Sequence, residues 1–209
     1  MISSLDDLAR YTQERARQAP LIADRIVLRS PGLAQSEFAC LADALPGLSE
    51  DYLDCLARID LQGISIGYFS FPPPRTPGGP GLVEWLRDAN SDAEIDSNPV
   101  SHFLAANELY EVASFESDPI CMVRTTARER SGQVVWVDIE TGPEIMAHPV
   151  ALSFERFLIA AGRLSQAGHD PTIVGPAATE QFIARLDDLG FDERQRESWR
   201  LLADMSLPS

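Results

Sequence analysis

The 209-residue chain has no lysine; all 17 of its basic residues are arginine. Schiff-base chemistry and a phosphate-loop lysine are therefore excluded together. Cysteine is scarce. Cys40, Cys55 and Cys121 are widely spaced, and no C-x-x-C or metal-type Cys/His spacing occurs. The expectation is three reduced thiols that pack as small hydrophobes. Histidine is as rare: His102, His148 and His169 lie far apart, and none forms an H-E-x-x-H pair. His148, just before Pro149, reads as a structural or solvated residue rather than a base.

Other signatures are missing too. There is no G-x-S-x-G elbow and no G-x-G-x-x-G after a strand. Gly78-Gly79-Pro80-Gly81 is glycine-rich, but proline lacks the amide donor that a phosphate cradle needs. No apolar run approaches the roughly 20 residues of a bilayer span. The opening Met-Ile-Ser-Ser-Leu-Asp-Asp is acidic and amphipathic, unlike a secretory leader. A cytoplasmic location without membrane contact is the expectation.

What the chain has in excess is acid: 32 acidic against 17 basic residues, a net charge of −15. The excess is uneven. Glu84 to Glu144 holds 13 acidic residues and 4 arginines, a balance of −9. Such a field repels nucleic acid, whose phosphates need cationic neutralisation. It attracts basic protein surfaces and speeds encounter with them. Surplus acid also serves solubility alone. Asp92, Glu94 and Asp96 alternate, which in an extended segment puts all three on one face. Oxygen donors suit a hard cation, but the ordered spacing of an EF-hand is missing. Solvated acid is the expectation, with no metal and no cofactor.

Patterning predicts a helix over Ser4 to Ala19, with Ser4 as cap and Arg15 and Arg17 near its end. Leu21 to Arg29 reads as a short strand or an extended arm. Ser36 is expected to cap a short helix to Leu45, and Ser49 a clearer one bearing Tyr52, Leu53, Leu56 and Ile59. Ile64 to Phe71 reads as one strand. Pro72 to Gly81 favours an extended polyproline path, most simply a surface loop. Leu82 to Ala89 reads as a helix carrying Trp85, and Asn90 to Pro99 as a loop.

Four strands are then expected, at Leu109–Phe115, Ile120–Thr125, Val134–Ile139 and Ile145–Leu152, with Ser131-Gly132 as a hairpin turn. A helix from Phe154 to Ala167, stopped at Gly168, and two further helical segments complete the chain. The fold class is α+β: a central, mostly antiparallel sheet of about 4–6 strands flanked by helices, with a helical C-terminal extension. The expected organisation is an N-terminal helix and arm (1–34), a main α+β domain (35–168) and a helical extension packed on it (169–209).

The order of several short motifs resembles the SMI1/KNR4 (SUKH) superfamily. Leu45-Pro46-Gly47-Leu48-Ser49-Glu50-Asp51-Tyr52-Leu53 is similar to its opening helix. Asp60-Leu61-Gln62-Gly63-Ile64-Ser65-Ile66-Gly67 is similar to its turn into a strand. Gly132-Gln133-Val134-Val135-Trp136-Val137-Asp138 fits its later hairpin, and Ser153-Phe154-Glu155-Arg156-Phe157-Leu158 its closing helix start. The resemblance spans roughly Gln35 to Leu164. It implies an α+β fold without catalysis. In bacteria it implies an immunity protein that neutralises a toxin, often a nuclease or deaminase; in fungi, a regulatory scaffold for wall synthesis.

Charge and resemblance together give one expectation: binding of a cognate toxin through its basic cleft. The partner-binding candidates are Asp92, Glu94, Asp96, Glu108, Glu111, Glu116 and Asp118, with Trp85 and Tyr110 as anchors. The rival readings are a regulatory adaptor for an endogenous partner, engaged through the proline-rich segment, and a carboxylate metal-binding protein or unrecognised enzyme.

Overall fold

Six antiparallel strands lie side by side in the order in which the chain makes them. The computed structural model describes residues 1–30, 33–74, 81–91, 98–124, 132–140, 144–175 and 177–208. The strands are β1 (Ser65–Ile66), β2 (Phe69–Ser70), β3 (Leu109–Phe115), β4 (Asp118–Val123), β5 (Val134–Asp138) and β6 (Met146–Ala151). The α+β class and the meander expected from the strand-like segments are both present.

The single strand expected over Ile64 to Phe71 is instead a tight hairpin. Ile66 pairs with Phe69, and the chain reverses at Gly67-Tyr68. Gly67 has φ +61, and a Cβ there would lie 3.1 Å from the Ser165 Cβ. Only glycine combines that backbone with so close an approach. The β4–β5 connection is longer than a two-residue turn. The Gly132 amide already donates to the Val123 carbonyl (3.1 Å), and Ser131 lies outside the described residues.

Nine α-helices among the described residues surround the sheet. α1 (Leu5–Gln18) starts as its sequence predicts, with the Ser4 hydroxyl accepting from the Asp7 amide. A 3-10 turn (Pro20–Ile22) and the short α2 (Ala23–Ile26) replace the strand or arm expected there. Arg29 then makes one bridge to Asp60. α3 (Gln35–Ala44) begins two residues earlier than expected, with Ala34 rather than Ser36 at its cap position. There the Glu37 carboxylate accepts from the Ala34 amide (3.0 Å) and satisfies a free helix-end donor.

α4 (Glu50–Arg58) is capped by Ser49 and buries Tyr52, Cys55 and Leu56. α5 (Leu82–Ala89) matches expectation. α6 (Pro99–Ala106) lies where the sequence reading ends its loop. α7 (Phe154–Gly168), α8 (Ala178–Ala184) and α9 (Glu193–Ser206) complete the chain.

One core joins all three expected segments. α7 is buried nearly all round, from Phe154 to Ala167. Ile2, Leu5 and Leu8 from the N-terminal segment and Phe182, Trp199 and Leu202 from the C-terminal one share a cluster with Phe69, Phe115, Phe154 and Phe157. Each fully buried large apolar side chain contributes about 1.5–3 kcal/mol relative to exposure. The helix α1 and the C-terminal helices are thus parts of the folding unit. A buried arginine fastens the joint. Arg163 donates from Nε to the Ile2 carbonyl (2.6 Å) and from its terminal nitrogens to the Arg185 carbonyl and the Asp188 carboxylate.

The other face of the sheet carries a second cluster: Leu104 of α6 with Leu109, Cys121, Val123, Val135 and Val137. A register shift between Glu111 and Ala113 marks a bulge in β3. It puts Val112 and Ala113 together in the main core and leaves Glu111 pointing away from it. No described helix is long and apolar enough to cross a membrane.

Candidate functional site

The carboxylates singled out by charge are dispersed over β3 and its corners. Glu108 sits where α6 turns into β3. It is exposed and left-handed, with φ 54. Its carbonyl accepts from the Arg124 amide (3.0 Å). Glu116, at the far end of β3, is likewise exposed and left-handed, with φ 51. Its amide donates to the Tyr68 carbonyl (3.3 Å). β3 is seven residues long. At about 3.3 Å per residue the two acids stand more than 20 Å apart, so they flank the strand rather than form one pair.

Glu111 is only half-buried by surface, yet burial pushes its carboxyl up to about 7. Its main chain is clamped by Asn90 at the end of α5. The Asn90 side chain accepts from the Glu111 amide (2.7 Å) and donates to the Glu111 carbonyl (3.0 Å). The cross-strand neighbour of Glu111 is the buried Cys121. Burial first, and the Glu111 charge second, push that thiol well up. Cys121 therefore stays protonated and unreactive.

Two candidates are removed from the surface. Asp118 is buried, accepting from the Trp136 indole (2.9 Å) and from the Ile139 amide (3.2 Å). A buried indole donor needs a partner, and this carboxylate supplies it. Asp118 is thus a strut between β4 and β5. Tyr110 is buried too, its hydroxyl donating to the Pro46 carbonyl (3.1 Å), with the Arg124 guanidinium 4.0 Å above its ring. It anchors the core rather than a partner. Trp85 is half-buried on α5 and packs against the main core. Asp92, Glu94 and Asp96 lie outside the described residues. The described acids of this stretch that do face water are Glu84 and Asp88 on α5, Glu108 and Glu116 at the two ends of β3, and Glu140 and Glu144 around the β5–β6 connection.

Among the described residues one group of three side chains could hold a metal: Asp51, Cys55 and Glu155, with ligand atoms within 4.8 Å of one another. Asp51 already has a structural task. Its carboxylate accepts from the Phe154 and Glu155 amides and so caps α7. Burial pushes the Cys55 thiol far up, away from the thiolate that a metal needs. His148 stacks on Trp136 with ring centres 4.9 Å apart, its Nε2 4.0 Å from Asp138.

A cleft that the charge pattern did not announce opens between α1, α2, the β1–β2 hairpin and the end of α7. Its volume is about 330 Å³. Arg15, Arg25 and His169 stand around it, over walls made by Ile22, Ile26 and Ile66. At its edge the Tyr11 and Ser165 hydroxyls share a hydrogen bond (3.1 Å). In the sequence Arg15 reads only as a helix-end charge. The signal for the cleft is the spacing of Tyr11 and Arg15, one turn apart on one helix face.

Compared with family models, curated proteins and solved structures, the chain matches none.

Proposed function

We propose that this chain is a non-catalytic immunity protein of the SMI1/KNR4 type, which binds a toxin and covers its basic cleft. The observation that carries the reading is the charge of one stretch of the chain. Between Glu84 and Glu144 the balance is −9, and Glu84, Asp88, Glu108, Glu140 and Glu144 all face water there. A nuclease or deaminase toxin must hold nucleic acid phosphates with cationic groups. An acidic surface that meets such a cleft accelerates association and blocks substrate in one step.

Burial of Asp118 and Tyr110 moves the proposed contact outward, to α5 and the α6–β3 corner, with Trp85 beneath it. The meander with helices on both faces is compatible with the α+β fold that the motif resemblance implies.

Co-expression with any nuclease or deaminase toxin encoded beside this chain in its native genome tests the reading. Rescue of growth is expected. Glu84→Arg, Asp88→Arg and Glu108→Arg together should abolish rescue, weaken binding and flatten its dependence on salt. Unchanged affinity and unchanged salt dependence in that triple variant would refute charge-based occlusion. The three side chains are exposed, but Glu84 also caps α5 by accepting from the Gly81 amide (3.1 Å), so circular dichroism of the variant is compared with that of the parent.

A further inference from the structure

We infer that the cleft beneath α1 and α2 is a binding site for a small organic anion with an apolar body, such as a medium-chain carboxylate or phosphate monoester. This site is separate from the acidic region and does not depend on the toxin reading.

The argument begins with charge. On a chain of net charge −15, this cleft is lined by two arginines and a histidine and by no carboxylate. Elsewhere the described arginines are mostly ion-paired, as Arg29 is with Asp24 and Arg200 with Glu180 and Glu197. The two at the cleft are not. Arg15 donates to the neutral Gln18 side chain (3.0 Å), and no described carboxylate pairs with Arg25. Two guanidinium groups left without counter-charge at one concave site can take a carboxylate or phosphate through paired N–H donors.

The polar wall is also organised. The Tyr11 hydroxyl is held by Ser165. The Nδ1 of His169 lies 2.6 Å from the Ser165 carbonyl, so it carries the proton and Nε2 is left for another partner.

The apolar part of the ligand follows from the rest of the lining. Ile22, Ile26 and Ile66 form the walls. Ile22 and its neighbour Leu21 are left in water, Leu21 completely so. A lone exposed leucine means little, but apolar side chains at the lip of a cleft with a cationic wall match an amphipathic occupant. The volume, about 330 Å³, lies at the small end of ligand pockets. It suits a chain of roughly eight carbons with one anionic head and excludes a folded partner.

The full chain is titrated by calorimetry with octanoate, octyl phosphate, octan-1-ol and inorganic phosphate. Saturable one-to-one binding of octanoate or octyl phosphate is expected, and the tighter of the two identifies the head group. Octan-1-ol and inorganic phosphate should each bind at least about tenfold more weakly, because each lacks half of the recognition. Arg25→Gln, at an exposed side chain, should cost about tenfold in affinity, and Arg15→Gln with Arg25→Gln more, at unchanged circular dichroism. Three results would each overturn the inference. They are no saturable heat with either amphiphile up to about 10 mM, octan-1-ol binding as tightly as octanoate, and full affinity in Arg25→Gln.

Discussion

Replacing Glu111 by glutamine should change stability in a way that depends on pH. A free glutamate titrates near 4.5, and burial lifts this one to about 7. The raised value means that the folded state favours the protonated form. Below pH 4.5 folded and unfolded chains both hold the proton, and the group contributes nothing to the balance. Between pH 4.5 and 7 only the folded chain holds it, so unfolding releases a proton and stability falls as pH rises. Above pH 7 the folded chain carries a desolvated carboxylate. The separation of about 2.5 pH corresponds to a cost on the order of 3 kcal/mol. The amide of Glu111→Gln is neutral at every pH and nearly the same shape.

The stability gain of the variant over the parent should therefore grow from near zero at pH 4.5 to on the order of 3 kcal/mol at pH 8. Urea unfolding of both proteins at four or five pH values measures it. Taking the difference cancels the repulsion that the net charge of −15 imposes on both. A difference that stays flat across the range would refute the reasoning and mean that water reaches the carboxyl of Glu111 freely.

Three further substitutions test the packing. Gly162→Ala gains about 1 kcal/mol of helix propensity but puts a Cβ 2.5 Å from the Leu8 Cδ1 in a fully buried contact, where overpacking costs about 1–3 kcal/mol. A net loss in thermal unfolding is expected, turning into a gain when Leu8→Ala removes the opposing methyl. Arg163→Met strands the Ile2 and Arg185 carbonyls and should cost about 3 kcal/mol by denaturant titration, with Arg163→Lys unable to restore the fork. Asp118→Ala leaves the Trp136 indole without its acceptor and should cost about 1–3 kcal/mol, read by tryptophan fluorescence during unfolding.

The long periodic segments were legible before the structure. β3 to β6 and α1, α4, α5, α7 and α9 all follow from apolar spacing and caps, because a residue's own burial face dictates the pattern. The shorter pieces were not. β1 and β2 have two residues each around Gly67, so their combined run looks like one strand. α6 carries a cap and a proline, Asn98-Pro99, that suit a helix start. The loop read over Asn90 to Pro99 takes in that start and leaves the residues from Val100 to Glu108 unassigned.

Of the candidate site, the charge was legible and the depth was not. Asp118 and Glu116 are both acids next to one turn, yet one is a buried acceptor and the other is exposed. The difference is set by the Trp136 indole, which pairing between β4 and β5 brings to Asp118. Nothing within a few residues of Asp118 encodes that partner. The arginine cleft was hidden for a similar reason. Its walls come from positions 11–26, 65–67 and 165–169, which only the packing of α1 on α7 brings together.

That packing has a consequence for how the protein is born. Each strand of the meander neighbours its predecessor, so pairing can advance strand by strand as the chain emerges from the ribosome. α1 meets α2 early, and just beyond α2 the Leu28 amide donates to the Thr12 hydroxyl (3.3 Å), but the other face of α1 has to wait for α7. Its partner Ser165 is made 154 residues after Tyr11. Leu8 packs against Gly162 of α7, so this part of α1 is covered only once α7 has been made. The cleft beneath α1 is completed at that same moment, so a nascent chain short of α7 cannot yet own it.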